Sequence, residues 1–195
     1  MSKSCLLCGV GGQGTVLASK LIAYAALNKG MFVRTTETIG MAQRGGSVVS
    51  HVRMGEEIHS PLIPKGQADV MIAFEPAEAV RNLSYLKEDG VAVVNMKAVK
   101  PVTATLSNTE YTGQEMIGYL KEHVKNLLLV DGEAICKEVG SAKVLNVTLL
   151  GAALAGNVLD LSIQDMEKEI ETHVKKQFVE MNKKALAHGA AAVFK

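Results

Sequence analysis

Residues 5–20 read CLLCGVGGQGTVLASK: a short apolar run, a glycine-rich turn, then the first turns of an apolar helix. Strand, tight loop, helix is the opening unit of an α/β fold. Gly9, Gly11 and Gly14 satisfy G-x-G-x-x-G, with Gly12 and Gln13 filling intervening places. Glycines admit positive φ and close backbone approach, and a helix N-terminus adds free N–H donors with partial positive charge. Residues 9–14 are therefore a candidate cofactor or anion contact. In dinucleotide-binding proteins an acid about 20 positions further on meets the ribose hydroxyls. Glu37 stands close to that spacing, which keeps a stand-alone NAD(P)-dependent oxidoreductase among the readings.

Outward from this loop, strand and helix patterns alternate. VLASKLIAYAALNKG predicts a helix ending near Gly30, and MFVRTT predicts a second strand. In SVVSHVRM, Val48, Ser50, Val52 and Met54 share a drier face, and Val49, His51 and Arg53 a wetter one. DVMIAF (69–74), GVAVVN (90–95) and NLLLVD (126–131) read as strands covered on both faces, with VTATL (102–106) as an edge strand. AEAVRNLSYL, TGQEMIGYLKEHV and GEAICKEVG read as the intervening helices, the first opened by Pro76. The order predicts a three-layer α/β/α fold with a mostly parallel, Rossmann-like sheet, in one domain spanning residues 1–195.

From about residue 140 the strand patterns stop and a helical C-terminal part begins. VLNVTLLGAALAGNVL (144–159) reads as a buried helix, and its GAALAG segment permits close internal packing. Ser162 and Asp165 have capping-box spacing. Ile163, Met166, Ile170, Val174, Phe178, Met181 and Ala185 then recur at helical spacing, with a break expected near Thr172-His173. That stripe is expected to pack on the molecule's own sheet. Glu171–Lys175 and Glu180–Lys184 have i,i+4 spacing for ion pairs.

Composition narrows the function. Of 195 residues, 48% are hydrophobic and 21% charged, and a net charge of +1 without a basic run argues against nucleic-acid binding. No secretory h-region or membrane-length apolar run is present, which with three cysteines suggests a reducing cytoplasm. Cys5 and Cys8 form C-x-x-C, but residues three apart on a strand face opposite ways, so both are expected to be buried packing groups. His51 and His59 lack partners at metal spacing and read as structural. Glu75 follows a buried strand, where it either reaches a ligand at the sheet's carboxyl edge or caps the next helix.

A second loop carries more information than the first. In GMAQRGGSVVSHVR, Arg44 stands between Gln43 and the Gly45-Gly46 pair, followed by Ser47. A guanidinium flanked by glycines suits a phosphate or carboxylate, or ties the loop to a neighbouring acid. Together, GVGGQG, ETIGMAQRGGSVVSHVR and SPLIPKGQADVMIAFEPAEAVR resemble the gamma-type domain of 2-oxoacid:ferredoxin oxidoreductases. The AQRGGSVVSHVR and SPLIP wording points to the indolepyruvate:ferredoxin oxidoreductase branch, and the resemblance covers essentially the whole chain.

The resemblance implies oxidative decarboxylation of an arylpyruvate within a complex. Its thiamine diphosphate, Mg²⁺ and 4Fe–4S clusters are expected on a larger alpha subunit, which passes electrons to ferredoxin. This chain has only three cysteines, in no ferredoxin-like spacing, and Asp89-Gly90 and Asp131-Gly132 both lack the leading glycine of a G-D-G diphosphate motif. It is therefore expected to carry no catalytic residue, metal or redox cofactor of its own, and to be inactive alone. The expected contact residues are Gly9, Gly11, Gly12, Gln13, Gly14, Arg44, Gly45, Gly46 and Ser47. They would line the approach of substrate or cofactor, coenzyme A among the candidates, or dock the alpha subunit. A non-catalytic ligand-binding module is the remaining alternative.

Overall fold

Apolar runs bounded by glycine, proline and acids become six strands in one sheet in the computed structural model, which describes residues 2–39, 45–100 and 111–192. The strands are β1 (Lys3–Val10), β2 (Phe32–Ile39), β3 (Ser47–Gly55), β4 (Ala68–Ala73), β5 (Leu86–Asn95) and β6 (Asn126–Val130). Their order is β2-β3-β1-β4-β5-β6, and only β3 runs against the others. The expected Val102–Leu106 strand lies outside the described residues, as does Arg44.

The position of β3 sets up the site. It lies between β1 and β2, pairing Val10 with Ser47 and Cys5 with Val52 on one side and Glu37 with Ser50 on the other. An antiparallel strand entering there carries the start of β3 to the carboxyl edge of β1. The segment before Ser47 thus lands beside the glycine loop.

Helices α1 (Thr15–Asn28), α5 (Leu145–Ala155), α6 (Ile163–His173) and α7 (Lys176–Ala192) cover one face. Helices α2 (Pro76–Asn82) and α3 (Gln114–His123) cover the other, and α4 (Gly132–Val139) packs on α7 and α5. This is the expected three-layer architecture. Cys5 and Leu7 enter the first core layer and Leu6 and Cys8 the second, as strand alternation requires. Burial pushes both thiols well above the ordinary cysteine range. α1 stops where expected: Gly30 takes φ +78°, its N–H bonds Leu27 and that of Met31 bonds Ala26.

α5 is buried around its circumference, as its unbroken apolar sequence demands. It meets α7 with almost no space between backbones. A Cβ on Gly151 would stand 2.0 Å from the Leu186 carbonyl oxygen, and one on Gly189 1.9 Å from that of Thr148. The Ser162–Asp165 capping box forms, and Met166, Ile170 and Ala185 of the apolar stripe are buried. Two expectations need correction. The first helix after β4 ends at Asn82 and tightens into a 3₁₀ turn over Leu83–Tyr85, so β5 begins at Leu86 rather than Gly90. The break between α6 and α7 falls where expected, α6 ending at His173 with Val174 and Lys175 outside both helices. Lys175 therefore leaves the helical register, and Glu171 pairs with Lys183 of α7 instead.

His51 shows what the wetter face of β3 becomes when a loop covers it. Its Nδ1 accepts the Ile63 N–H at 3.2 Å, and Tyr85 packs edge-on against the ring. Burial lowers its pKa, because the imidazolium would lose solvent. The unfolded chain, with histidine near ~6.5, thus takes up the proton first. This contribution to stability is complete above that value and is lost as pH falls through it toward the lower folded pKa. Urea midpoints measured from pH 7.5 to 5.5 should fall more for the parent than for His51→Asn, whose amide oxygen can still accept the Ile63 bond. Equal slopes would remove His51 as the titrating group.

Candidate functional site

The glycine loop lies where the chain changes direction across the sheet, between β1 and β4, which is where open α/β sheets place ligands. Each of its residues has a separate physical reason. Gly9 is required by packing: a Cβ there would stand 2.8 Å from Phe74 Cβ and from Gln13 Oε1. Gln13 is a cross-brace. Its Oε1 accepts the Val10 N–H at 2.7 Å, and its Nε2 donates to the Phe74 carbonyl at 3.0 Å. The Gln13 amide therefore joins the ends of β1 and β4 and is already engaged. Gly14, at φ +87°, starts α1 with no side-chain cap, and Asn146 of α5 fills the space a Cβ would need.

Gly12 is different. It is exposed at φ +103°, and a Cβ there would meet nothing within 4 Å, so it is the open tip of the loop. Gly11 donates its N–H to the Gly46 carbonyl at 2.8 Å. That bond unites the two loops singled out from the sequence. Gly45, at φ +80°, is exposed beside it. Residues 9–14 and 45–47 thus form one contiguous edge, while Arg44 lies outside the described residues.

Two buried carboxylates hold this edge from below. Ser47 Oγ donates to Glu78 Oε2 at 2.6 Å, and Arg81 pairs with the same carboxylate. Glu75, 2% exposed, accepts the Glu78 N–H at 3.1 Å, the Val99 N–H at 3.3 Å and the Tyr111 hydroxyl at 2.6 Å. Burial, then the bond to Glu75, pushes the Tyr111 phenol up out of its ordinary range. Between them lies a small cavity of about 120 Å³ lined by Val10, Ser47, Glu75, Glu78, Arg81 and Tyr111. Glu75 caps α2, the second of its two sequence readings, and at the sheet's carboxyl edge its carboxylate is engaged by internal donors. Glu78 had a weak signal as an acid in the first helical turn; Tyr111, reached from 36 residues away, had none.

The dinucleotide reading of Glu37 does not fit this geometry. β3 separates β2 from β1, and the Glu37 carboxylate accepts from Ser19 Oγ of α1 at 3.2 Å. Cys5 and Cys8 face opposite core layers and Cys136 belongs to a third apolar cluster, so the three thiols do not converge on one cluster. Among the described residues, no group of three or more histidines, cysteines or acids is placed to hold a metal. No helix among them is long and apolar enough to cross a membrane. His59 is solvated and 3.1 Å from Glu57.

Known proteins share this arrangement over nearly the full chain. A family model described as pyruvate ferredoxin/flavodoxin oxidoreductase matches residues 4–192. The indolepyruvate oxidoreductase subunit IorB of Archaeoglobus fulgidus is 38% identical over 190 residues, covering 97% of this chain and 94% of that protein. The IorB subunit of Pyrococcus horikoshii is 36% identical over 189 residues, covering 96% and 94%. The gamma subunit of a keto/oxoacid ferredoxin oxidoreductase from Geobacter sulfurreducens has the same fold, with a TM-score of 0.72 at 25% identity and 98% coverage of both chains.

Proposed function

This chain belongs to the pyruvate ferredoxin/flavodoxin oxidoreductase family, and we propose that it is the smaller, non-autonomous subunit of an indolepyruvate oxidoreductase. The carrying observation is the 38% identity to an IorB subunit across 97% of the chain. A larger partner would hold thiamine diphosphate, Mg²⁺ and iron–sulfur clusters, which would supply the decarboxylation and electron-transfer chemistry that this chain's residues do not. Coenzyme A is a candidate ligand of the assembled complex. The three unpaired, buried cysteines suit a reducing compartment, which supports a cytoplasmic complex.

The edge formed by Gly9, Gly11, Gly12, Gln13, Gly14, Gly45, Gly46 and Ser47 is this chain's contribution, and Arg44, which precedes Gly45 in sequence and lies outside the described residues, is the cationic residue we assign to work with it. Gly9, Gln13 and Ser47 shape it through internal contacts, and Gly12 and Gly45 are its exposed points. Exposed backbone at Gly12, which admits close approach, suits either an anionic group of substrate or cofactor or an acidic surface of the partner. Arg44→Ala should lower ferredoxin reduction by the complex about tenfold or more, the cost of a lost charge-assisted contact, with the melting temperature of the isolated chain unchanged. Full activity in that variant would remove Arg44 from the site.

A further inference from the structure

A polar-rimmed hollow at the carboxyl edge lies away from the glycine loop. It is a cleft of about 440 Å³ beyond the ends of β5 and β6, between α4 and the 3₁₀ turn over Ala142–Val144 that leads into α5. That volume falls in the range of small-molecule sites, about 300–1,000 Å³. No contact of the Gly9–Ser47 edge enters it.

Its lining divides into two parts. The wall is made by Cys136, Leu145 and Ala142, the bare backbone of Gly132 and Gly140, and the polar side chains of Ser141 and Asn95, the latter's amide already engaged by Phe74 and Gly132. Cys136 is 7% exposed. The rim carries Lys97, Lys137 and Glu133. Lys97 Nζ lies 2.6 Å from Glu133 Oε1, and Lys137 Nζ 3.6 Å from the same oxygen. Two ammonium groups thus share one carboxylate, which leaves one positive charge. Lys97 donates to Glu133, whereas Lys137 stands farther from that carboxylate and is largely exposed, open to a further partner.

The start of α4 is not the source of attraction. The Gly132 N–H is given to Asn95 Oδ1 and the Ala134 N–H to Asp131 Oδ1, so these donors are satisfied within the protein. Gly132 is also a glycine for internal reasons, since a Cβ there would stand 2.4 Å from Leu145 Cδ1. The lysines therefore define the charge preference and the inner wall defines the shape.

We infer that this cleft binds a small organic monoanion, a carboxylate with an apolar body. The apolar part lies along Cys136 and Leu145, and the carboxylate meets Lys137 and the outer side of Lys97. A single net positive charge matches a monoanion better than a phosphate dianion. The inference is independent of which oxoacid the complex oxidises, and it is tested on the isolated full chain without turnover.

The test is a titration of ¹⁵N-labelled chain with 1-naphthylacetate and with its neutral amide, 1-naphthylacetamide, following the amide signals of Gly132, Cys136 and Gly140. Saturable shifts are expected with the acid, and about tenfold weaker binding of the amide. Lys97→Ala/Lys137→Ala should erase that preference. Lys137→Ala alone, at a solvent-open position, should reduce it and serves as the second arm. Absence of saturable shifts, equal affinity for acid and amide, or a preference that survives both variants would each overturn the assignment.

Discussion

Gly189→Ala is expected to destabilise the chain by about 2–3 kcal/mol, although the same exchange in an unencumbered helix would stabilise it by about 1 kcal/mol. The two effects have opposite signs, so the measurement decides which governs. Gly189 lies within α7, where propensity favours alanine. Its added methyl carbon would sit 1.9 Å from the Thr148 carbonyl oxygen, and that neighbour is backbone of a fully buried helix. It cannot rotate aside as a side-chain tip can, so α5 and α7 must separate. Gly151→Ala meets the reciprocal obstacle, 2.0 Å from the Leu186 carbonyl oxygen. Each variant should melt about 5–10 °C below the parent, given roughly 2–4 °C per kcal/mol for a chain of this size. Because both act on one interface, the double variant should cost less than the sum. A melting point at or above the parent's would show that the helices are not in backbone contact.

Glu75→Ala is the second large effect, at about 3 kcal/mol, reached by adding the losses at each stranded donor. The carboxylate is the cap of α2 and also accepts from Val99 and Tyr111, so its removal strands three donors in a nearly closed space. Loss of a cap alone costs about 1 kcal/mol, and each further unsatisfied buried donor adds about 1 kcal/mol or more. Glu75→Gln should lose less, because its amide oxygen can still accept from Tyr111. In urea titrations, Glu75→Ala and Tyr111→Phe should be non-additive, since the second removes a donor that the first has already stranded. Additive losses would mean that the bond between them contributes nothing. The same variant loosens the floor beneath Ser47, so complex activity should fall further than stability alone explains.

Element types were legible because periodicity reports them. The alternation of β3, the apolar runs of β4 and β6, the Ser162 capping box and the Gly30 stop each follow from side-chain spacing or backbone conformation. Neighbours across the sheet were not legible. Nothing in SVVSHVRM says that this strand slips between β1 and β2, yet that insertion carries Gly46 to Gly11 and moves Glu37 away from the glycine loop. GAALAG signalled close helix packing, but its counterpart Gly189 sits in an alanine-rich stretch where one more small residue carries no signal. Gln13 filled a variable position of a glycine motif, and only the fold shows its amide bridging two strand ends. Glu78 and Tyr111 reach the site through tertiary packing that no local pattern encodes.

The chain works as a subunit and is expected not to turn over alone. The most direct measurement is ferredoxin reduction by indolepyruvate, with the larger thiamine diphosphate and iron–sulfur partner held fixed and this chain titrated in. The chain alone should give no turnover, and activity should rise with added chain and level off at an equimolar ratio. Full activity from the partner without this chain, or NAD-dependent turnover by the chain alone, would contradict it.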